Sequence, residues 1–278
     1  MRKLFLLFTL CVCIAAGSQS MNDYYAAGAT VLPLWEQNVR EDVTGFRPQL
    51  YVFAPADASG KRLRTVLLCP GGGYGSVSLY REGLMWNDFF KAENIVLAVV
   101  HYRLPHGKHE VPKTDVFRAI RLLKDHATEW GIDADDIGIM GFSAGGHLAS
   151  TVALQAPEGL RPSFQILFYP VITMDGAVTH SGSRRNLLGE SPSPELVRAY
   201  SGELNVTAAA PRAFIATGSE DNMVPAINSA RYFSALVAAG VKADIHTWPT
   251  SVHGFAIEHK MPWESNLLLE LRDWLRSF

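Results

Sequence analysis

The segment G-F-S-A-G at 141–145 constrains the fold of this chain more strongly than any other stretch. An apolar run over 136–140 leads into it, and small residues typical of a helix begin at Ala144. A serine with a glycine two positions to either side is typical of a sharp turn between a buried strand and a helix. The glycines let the two backbones pass close together, and the helix start favours negative charge beside the hydroxyl. The pattern therefore predicts that Ser143 is an exposed nucleophile on a strand-turn-helix unit.

Apolar strands and amphipathic helices alternate along most of the chain. Strands are predicted over 50–55, 65–69, 95–100, 136–140, 164–169, 213–217 and 243–248, and helices over 79–93, 114–130, 225–239 and 262–276. The continuous apolar runs are typical of strands that are covered on both faces. This order predicts a mostly parallel, doubly wound α/β sheet with right-handed crossovers. With 278 residues, 48% of them hydrophobic, the chain can bury the core of one large domain.

The N-terminal residues differ in composition from the rest of the chain. Arg2 and Lys3 precede an apolar run over 4–14, and small residues follow. This pattern predicts a signal peptide over 1–19 and therefore a secreted or periplasmic protein. The apolar run is too short to span a bilayer comfortably, so we expect no stable membrane span in the mature protein. A lipid anchor is a weaker alternative, because neither Cys11 nor Cys13 follows a small residue.

Residues 20–278 are expected to form a single domain, because no linker or internal repeat divides them. The stretch 22–41 is expected to be irregular. Over about 174–211 the hydrophobic periodicity fades, and Ser, Gly, Pro and Arg become frequent. Because this segment is too long for an ordinary connection, we expect a small cap insertion, with short helices near Leu187 and over 194–200.

Charge and cysteine content exclude several classes of function. The formal net charge of -2 offers no basic surface for nucleic acid. No cysteine and histidine grouping has the spacing of a structural zinc site. Cys69 would be the one cysteine left after signal cleavage, and we expect it to be a buried apolar residue. The sequence therefore predicts no metal, no cofactor and no nucleic-acid partner, and it leaves the oligomeric state open.

A second motif, P-G-G-G-Y at 70–74, follows the predicted strand over 65–69. Successive glycines let several N–H groups point into one small volume, which suits either a phosphate or the oxyanion of a tetrahedral intermediate. Phosphate binding is disfavoured because no Gly-Lys-Ser/Thr follows, and Ser78 occupies the place of the third glycine of a dinucleotide fingerprint. Two interpretations of the motif therefore remain, an oxyanion site and a purely structural loop.

Two polar loops follow later strands, at the edge where functional groups collect in such sheets. Asp221 lies after the strand over 213–217, and His253 after the strand over 243–248. A serine needs a base to take its proton and an acid to orient that base. We therefore predict a catalytic triad of Ser143, His253 and Asp221, in the chain order of α/β-hydrolases. Glu220 is the adjacent alternative to Asp221.

These motifs together resemble those of secreted bacterial α/β-hydrolase esterases. The similarity is to the acetylesterase and acetylxylan-esterase-like group, which is akin to the hormone-sensitive-lipase-like carboxylesterases. It rests on the residues at 70–74, 141–147, 221, 224–225 and 253–255, and extends to 184–190 and 192–196 in the expected cap. The resemblance implies an α/β-hydrolase fold with helices on both faces of the sheet.

The resemblance also implies an oxyanion hole formed by the N–H groups of Gly72, Gly73 and Ala144. This chain departs from the broader lipase-like esterases at Pro70, where those proteins carry a histidine before the glycines. The departure leaves open which glycines donate, with the Tyr74 N–H as a substitute.

The resemblance further implies a serine carboxylic-ester hydrolase that acts through an acyl-enzyme on a small-molecule or oligosaccharide ester. Acetyl groups on plant polysaccharides such as xylan are the favoured substrate. The alternatives are a feruloyl or general short-chain carboxylesterase, a peptidase of the prolyl-oligopeptidase type, and an inactive binding protein of the same fold. The peptidase is disfavoured because such enzymes usually carry a large additional domain, for which this chain has no room.

Several other side chains receive weaker predictions. Tyr74, Tyr80 and Trp86 lie near the expected pocket, where they would stack on a sugar or hold a feruloyl group, although aromatic residues more often belong to a core. His147 is expected to pack on the helix behind the nucleophile, and no role is predicted for His180.

Overall fold

Eight strands of the chain form one sheet in a computed structural model, which describes residues 26–36, 45–57, 60–255, 257 and 261–278. The strands are β1 (Thr30–Pro33), β2 (Gln49–Phe53), β3 (Leu63–Cys69), β4 (Val96–His101), β5 (Ile132–Phe142), β6 (Phe164–Phe168), β7 (Arg212–Gly218) and β8 (Ala243–Trp248). Their order in the sheet is β1-β2-β4-β3-β5-β6-β7-β8. The predicted signal peptide over 1–19 lies outside the described residues.

The sheet is parallel from β3 to β8, as predicted, but its other edge is antiparallel. β2 pairs antiparallel with β4, and β1 pairs antiparallel with β2. The expectation of irregular structure is wrong over Thr30–Pro33, which form β1. This strand has only four residues, mostly exposed, so its sequence carries no periodic pattern. Its backbone hydrogen bonds to β2 establish it as a strand.

Eight α-helices surround the described part of the sheet, and none of them is long and apolar enough to cross a membrane. They are α1 (Asn87–Ala92), α2 (Glu110–Asp125), α3 (Ala127–Trp130), α4 (Ala144–Gln155), α5 (Ser181–Leu188), α6 (Pro194–Ala199), α7 (Ile227–Ala238) and α8 (Glu264–Leu275).

Hydrophobic side chains of the parallel strands point alternately to two separate cores. In β3, Leu67 and Cys69 belong to the core that contains the apolar faces of α2, α4 and α7. Val66 and Leu68 belong to the other core, which contains those of α1 and α8. Because side chains alternate along a strand, each parallel strand is covered on both faces. This explains the continuous apolar runs in the sequence and confirms the prediction of helices on both faces.

The helix predicted over 79–93 is shorter than expected. Residues 79–83 form turns, a 3-10 turn covers Leu84–Trp86, and α1 begins only at Asn87. A Cβ at Gly83 would lie 2.2 Å from the Leu79 carbonyl oxygen, so this backbone folds back on itself too tightly for a regular helix. The apolar spacing that suggested a longer helix comes from residues that reach the core through this turn.

The segment over 174–211 contains α5, α6 and a 3-10 turn at Gly202–Leu204. Asn228 of α7 fastens the start of this segment to the rest of the protein. Its Oδ1 accepts hydrogen bonds from the N–H groups of Ile172 and Thr173, each at 3.1 Å. Its Nδ2 donates to the carbonyls of Val178 and Pro225, each at 3.0 Å. Asn228 is fully buried, so water cannot replace these bonds.

We predict that Asn228→Ala lowers the free energy of unfolding by about 3 kcal/mol, because buried amides and carbonyls lose their partners. Urea unfolding followed by circular dichroism measures the change. The exposed Ser234 lies on the same helix, so Ser234→Ala is a control that should change stability by less than about 0.5 kcal/mol. Equal stability of the two variants would contradict this account of Asn228.

Candidate active site

Ser143 lies between β5 and α4 and has a backbone conformation that residues other than glycine rarely adopt. Its φ is 51° and its ψ is -119°. Such a conformation costs on the order of 1–3 kcal/mol and persists only where surrounding contacts hold it. Here the Ser143 N–H donates to the Phe168 carbonyl, and the Ser143 carbonyl accepts from the Val171 N–H, both at 3.0 Å. The end of β6 and the residues after it therefore hold the strained serine in place.

The glycines on either side of Ser143 are required by close backbone packing. A Cβ at Gly145 would lie 2.1 Å from the Cys69 carbonyl oxygen and 2.4 Å from that of Pro70. A Cβ at Gly141 would lie 2.2 Å from the Gly145 carbonyl oxygen. The first turn of α4 thus packs directly on the end of β3 and the start of the glycine-rich segment at 70–74.

Hydrogen bonds join the three side chains predicted as a triad. The Ser143 Oγ lies 2.9 Å from His253 Nε2, and His253 Nδ1 lies 2.6 Å from Asp221 Oδ2. Since the Asp221 carboxylate accepts hydrogen bonds, His253 carries its proton on Nδ1, and its Nε2 is left to accept the Ser143 hydroxyl. Ser143 is buried, with 6% of its surface exposed, and is thus less exposed than predicted. Asp221 is buried and His253 is half-buried. The arrangement can move a proton from Ser143 to His253.

Asp221, and not its neighbour Glu220, faces His253. Glu220 is exposed, whereas the second carboxylate oxygen of Asp221 accepts from the N–H groups of Met223 at 2.8 Å and Val224 at 2.9 Å. Burial raises the pKa of Asp221, but the hydrogen bonds from His253 and these two N–H groups outweigh it, and the net pKa is lowered. Asp221 is therefore ionised at neutral pH.

Two N–H groups of the glycine-rich segment are not used by hydrogen bonds within the described part of the chain. Gly72 and Gly73 have φ values of 125° and 63°, which suit glycine. Among the described residues, neither N–H has an acceptor, whereas the Gly71 N–H donates to Glu82. Ala144 opens α4, so its N–H has no partner within the helix. These are the three groups that the family resemblance implies as an oxyanion hole.

Side chains from three other elements fix the glycine-rich segment. The Tyr102 hydroxyl donates to the Pro70 carbonyl at 2.7 Å, and Asn186 Nδ2 of α5 donates to the Gly73 carbonyl at 2.9 Å. The Tyr74 hydroxyl lies 2.9 Å from His147 Nδ1. The segment is therefore tied to the residue that follows β4, to α4 and to α5, so its shape does not depend on its own flexible glycines.

His147 lies on α4 behind the nucleophile, as expected, and it has partners that the sequence did not indicate. Its Nε2 lies 2.8 Å from the Tyr200 carbonyl, which can only accept a hydrogen bond. The ring therefore carries its proton on Nε2, and its Nδ1 accepts the Tyr74 hydroxyl. Burial lowers the pKa of His147 to about 4, so the ring stays neutral around pH 7.

The suggestion that aromatic residues contact a substrate is wrong for two of the three named. Tyr74 is 2% exposed and Trp86 is 1% exposed. Trp86 packs against Phe142 and Phe168 in the core, with ring centroids 5.4 Å apart in each pair. Tyr80 is half-buried. Tyr74 and Trp86 are thus core residues that stabilise the region beneath the site.

Two residues at the site were not predicted. Glu82 is a buried carboxyl group that contacts the glycine-rich segment. His180 caps α5, and its Cε1 would lie 3.5 Å from a Cβ at Gly73. Neither residue lies within a motif. Position in the expected cap is the one signal that could have singled out His180.

Comparison with known proteins shows which family this chain belongs to. The alpha/beta hydrolase fold family matches residues 66–257. This chain belongs to that family. The match spans β3 to the loop after β8, and so includes every residue of the site described above.

Three similar proteins share most of this chain. An acetylxylan esterase from Xylanibacter ruminicola is 39% identical over 83% of this chain and 48% of its own length. Endo-1,4-beta-xylanase B from Butyrivibrio fibrisolvens is 30% identical over 81% of this chain and 37% of its own length. The chain thus spans about half the length, or less, of these curated relatives. The crystal structure of an acetyl ester-xyloside bifunctional hydrolase from Caldicellulosiruptor lactoaceticus matches with a TM-score of 0.82 and 31% identity, over 89% of this chain and 96% of that one.

We predict that His147 makes the protein less stable in mild acid. The folded pKa of about 4 lies below the ordinary value of 6.5, so between these values the unfolded chain binds the extra proton. From about pH 7.5 to pH 5 this difference removes about 2 kcal/mol of folding stability. Urea unfolding at both pH values measures it. In His147→Gln the loss should be smaller by that amount, and an unchanged pH dependence would contradict the prediction.

Proposed function

We propose that this chain is a serine esterase that removes acetyl groups from plant polysaccharide such as xylan. One observation carries the proposal: a strained serine, a half-buried histidine and a buried carboxylate are joined by hydrogen bonds of 2.9 Å and 2.6 Å. Ionised Asp221 holds His253 in the tautomer that accepts a proton from Ser143. The N–H groups of Gly72 and Gly73, which have no acceptor among the described residues, are available to stabilise the negative charge that would develop.

In this mechanism the Ser143 Oγ attacks the ester carbonyl while His253 Nε2 takes the hydroxyl proton. Asp221 stabilises the positive charge that forms on the ring. The tetrahedral intermediate collapses as His253 returns the proton to the leaving alcohol, and the acetyl group stays on Ser143. Water, deprotonated by His253, then releases acetate and restores the serine.

The N–H groups of Gly72, Gly73 and Ala144 are proposed to hold the oxyanion. Gly71 is not a candidate because its N–H already donates to Glu82 at 3.0 Å. Each well-placed donor of this kind contributes about 3 kcal/mol to transition-state stability. Because the segment is tied to three other elements, its donors do not have to reorganise when charge develops.

The substrate class is proposed from the relatives. The similar proteins include an acetylxylan esterase, a xylanase and an acetyl ester-xyloside hydrolase, so their names share xylan or xyloside chemistry. Secretion, which residues 1–19 predict, would place the enzyme with polysaccharide outside the cell. A feruloyl or general short-chain carboxylesterase is the second candidate, because the same three side chains would cleave those esters.

We predict that Ser143→Ala lowers kcat/KM for p-nitrophenyl acetate by at least about 10⁴-fold, because the attacking oxygen is removed. Thermal unfolding should show that the fold is retained. Ser150 is a buried serine of α4 whose hydroxyl, within the described ranges, donates only to the backbone carbonyl of His147, so Ser150→Ala is a matched control. Turnover that survives in the Ser143 variant would show that another group is the nucleophile.

We further predict that the protein releases acetate from acetylated xylo-oligosaccharides. Acetate and ferulate release are measured side by side on acetylated and feruloylated xylo-oligosaccharides, with p-nitrophenyl acetate and longer acyl esters as reference substrates. Ser143→Ala serves as the blank for spontaneous hydrolysis. Ferulate release would favour a feruloyl esterase. Cleavage of the synthetic esters alone would leave a general short-chain carboxylesterase.

A further inference from the structure

A buried carboxyl group lies at the site without a part in the mechanism above. Glu82 is 8% exposed and lies in the turn that follows the glycine-rich segment. Its Oε2 accepts the Gly71 N–H at 3.0 Å, and its Oε1 accepts the Tyr169 hydroxyl at 2.8 Å. A buried carboxyl group is costly unless it is satisfied in this way, so its presence here calls for an explanation.

Glu82 lies where the glycine-rich segment meets the serine. A Cβ at Gly71 would lie 2.6 Å from Glu82 Oε2, 2.8 Å from the Phe142 carbonyl oxygen and 3.1 Å from Ser143 Cβ. The carboxylate, the start of the glycine-rich segment and the nucleophile are therefore packed with no space between them. A shift of the Glu82 carboxylate would therefore displace Gly71, which directly precedes Gly72 and Gly73.

Glu82 also reaches the histidine through Tyr169. The ring of Tyr169 packs edge-on against the ring of His253, with centroids 4.9 Å apart. Tyr169 has a φ of 37°, a strained value that its hydroxyl bond to Glu82 helps to retain. Glu82 Oε1 lies 4.0 Å from the position of a Cβ at Gly254, next to His253. One carboxylate thus contacts both the segment that carries the oxyanion donors and the surroundings of the base.

The contacts of Glu82 suit a negative charge. Burial raises the pKa of Glu82 above its ordinary value, and the Tyr169 hydroxyl, the charge of protonated His253 and the Gly71 N–H each reduce that rise without cancelling it. Both oxygens accept hydrogen bonds, which the ionised form does best. Since the interaction of two charges is mutual, an ionised Glu82 also favours the protonated form of His253.

We propose that Glu82 is a positioning residue of this site: its carboxylate fixes the glycine-rich segment through Gly71 and the His253 ring through Tyr169, and its charge stabilises protonated His253. His253 must become protonated in each half of the reaction, so Glu82 complements Asp221 from another direction. This inference rests on the proposed esterase function.

The other titratable groups around these two residues are identified by the structure. Asp221 and His180 interact electrostatically with each other and with His253, and Tyr169 contacts the His253 ring. Glu82 interacts with Tyr169, His253 and the buried Tyr102. Of these groups, Asp221 and Glu82 are the two carboxyl groups.

Glu82→Gln tests the proposal, because glutamine keeps the shape but removes the charge and cannot accept from both donors with oxygen. We expect kcat for p-nitrophenyl acetate to fall about tenfold, with KM within about threefold. In the pH profile of kcat/KM, the rise on the acidic side should move to lower pH by about half a unit; this rise is called the acidic limb below. An NMR titration of the His253 ring should shift in the same direction, and this readout does not require turnover.

Asp115→Asn is the matched control. Asp115 is fully buried and paired with Arg103 at 2.6 Å, but it takes no part in the contacts described for the site. Its replacement should lower the melting temperature while the acidic limb and the His253 titration stay unchanged. The same pattern in Glu82→Gln, with kcat within twofold of wild type, would overturn the proposal.

Tyr169→Phe separately tests the tether, which is the hydrogen bond from the Tyr169 hydroxyl to Glu82. It also provides a test if Glu82→Gln does not fold. It removes the hydroxyl but keeps both the aromatic ring and the Glu82 carboxylate. We expect kcat to fall at least about threefold, with the acidic limb moving less than in Glu82→Gln. Wild-type kcat in this variant would overturn the tether to His253. Absence of ester cleavage by the wild-type protein would instead refute the proposed function.

Discussion

The site depends on one point where three backbone segments meet with no room for a side chain. At Gly145, the first turn of α4 packs against the last residue of β3 and the first residue of the glycine-rich segment. This packing sets the distance between the turn that carries Ser143 and the start of the glycine-rich segment. Ser143 adopts its strained φ of 51° because hydrogen bonds from β6 and the residues after it hold it there. Backbone packing and backbone hydrogen bonds, rather than neighbouring side chains, therefore fix the position of the serine.

The base and its carboxylate are held by a second backbone arrangement. The loops after β7 and β8 pair with each other: the Ser219 N–H donates to the Trp248 carbonyl at 2.8 Å, and the Glu220 N–H donates to the Thr250 carbonyl at 3.1 Å. Asp221 and His253 thus belong to two loops that form one unit. Because β5, β7 and β8 are parallel, that unit lies at the same edge of the sheet as Ser143.

The sequence allows prediction of those features whose signal is local. The turn at Ser143 and the glycine-rich segment are short motifs, and the loops of Asp221 and His253 follow strands that are apolar throughout. Parallel order then brings the four to one edge, so residues far apart in the chain could be named. The short exposed β1 was missed because its pairing with β2 establishes it, whereas its own sequence carries no periodic pattern. The turn at 79–83 was missed because apolar residues that reach the core through a turn have the same spacing as those of a helix.

Glu82 and Asn228 show why the rest could not be predicted. Neither lies within a recognisable motif, and each acquires most of its partners only when distant segments fold around it. The suggestion that Tyr74 and Trp86 contact a substrate was wrong for a different reason. An aromatic residue beside a motif has the same sequence context whether its side chain faces a ligand or the core. Burial separates these cases, and sequence alone does not give it.

The separation of the site along the chain has a consequence for how the protein is made. Ser143 and His253, which share a hydrogen bond of 2.9 Å, are 110 positions apart, and β6, β7 and β8 all lie between them. On the ribosome, the serine and the glycine-rich segment emerge well before the histidine does. A nascent chain of this length holds a serine with no base to deprotonate it. The hydrogen bond between Ser143 and His253 therefore forms only after the residues beyond β8 have been made and have folded.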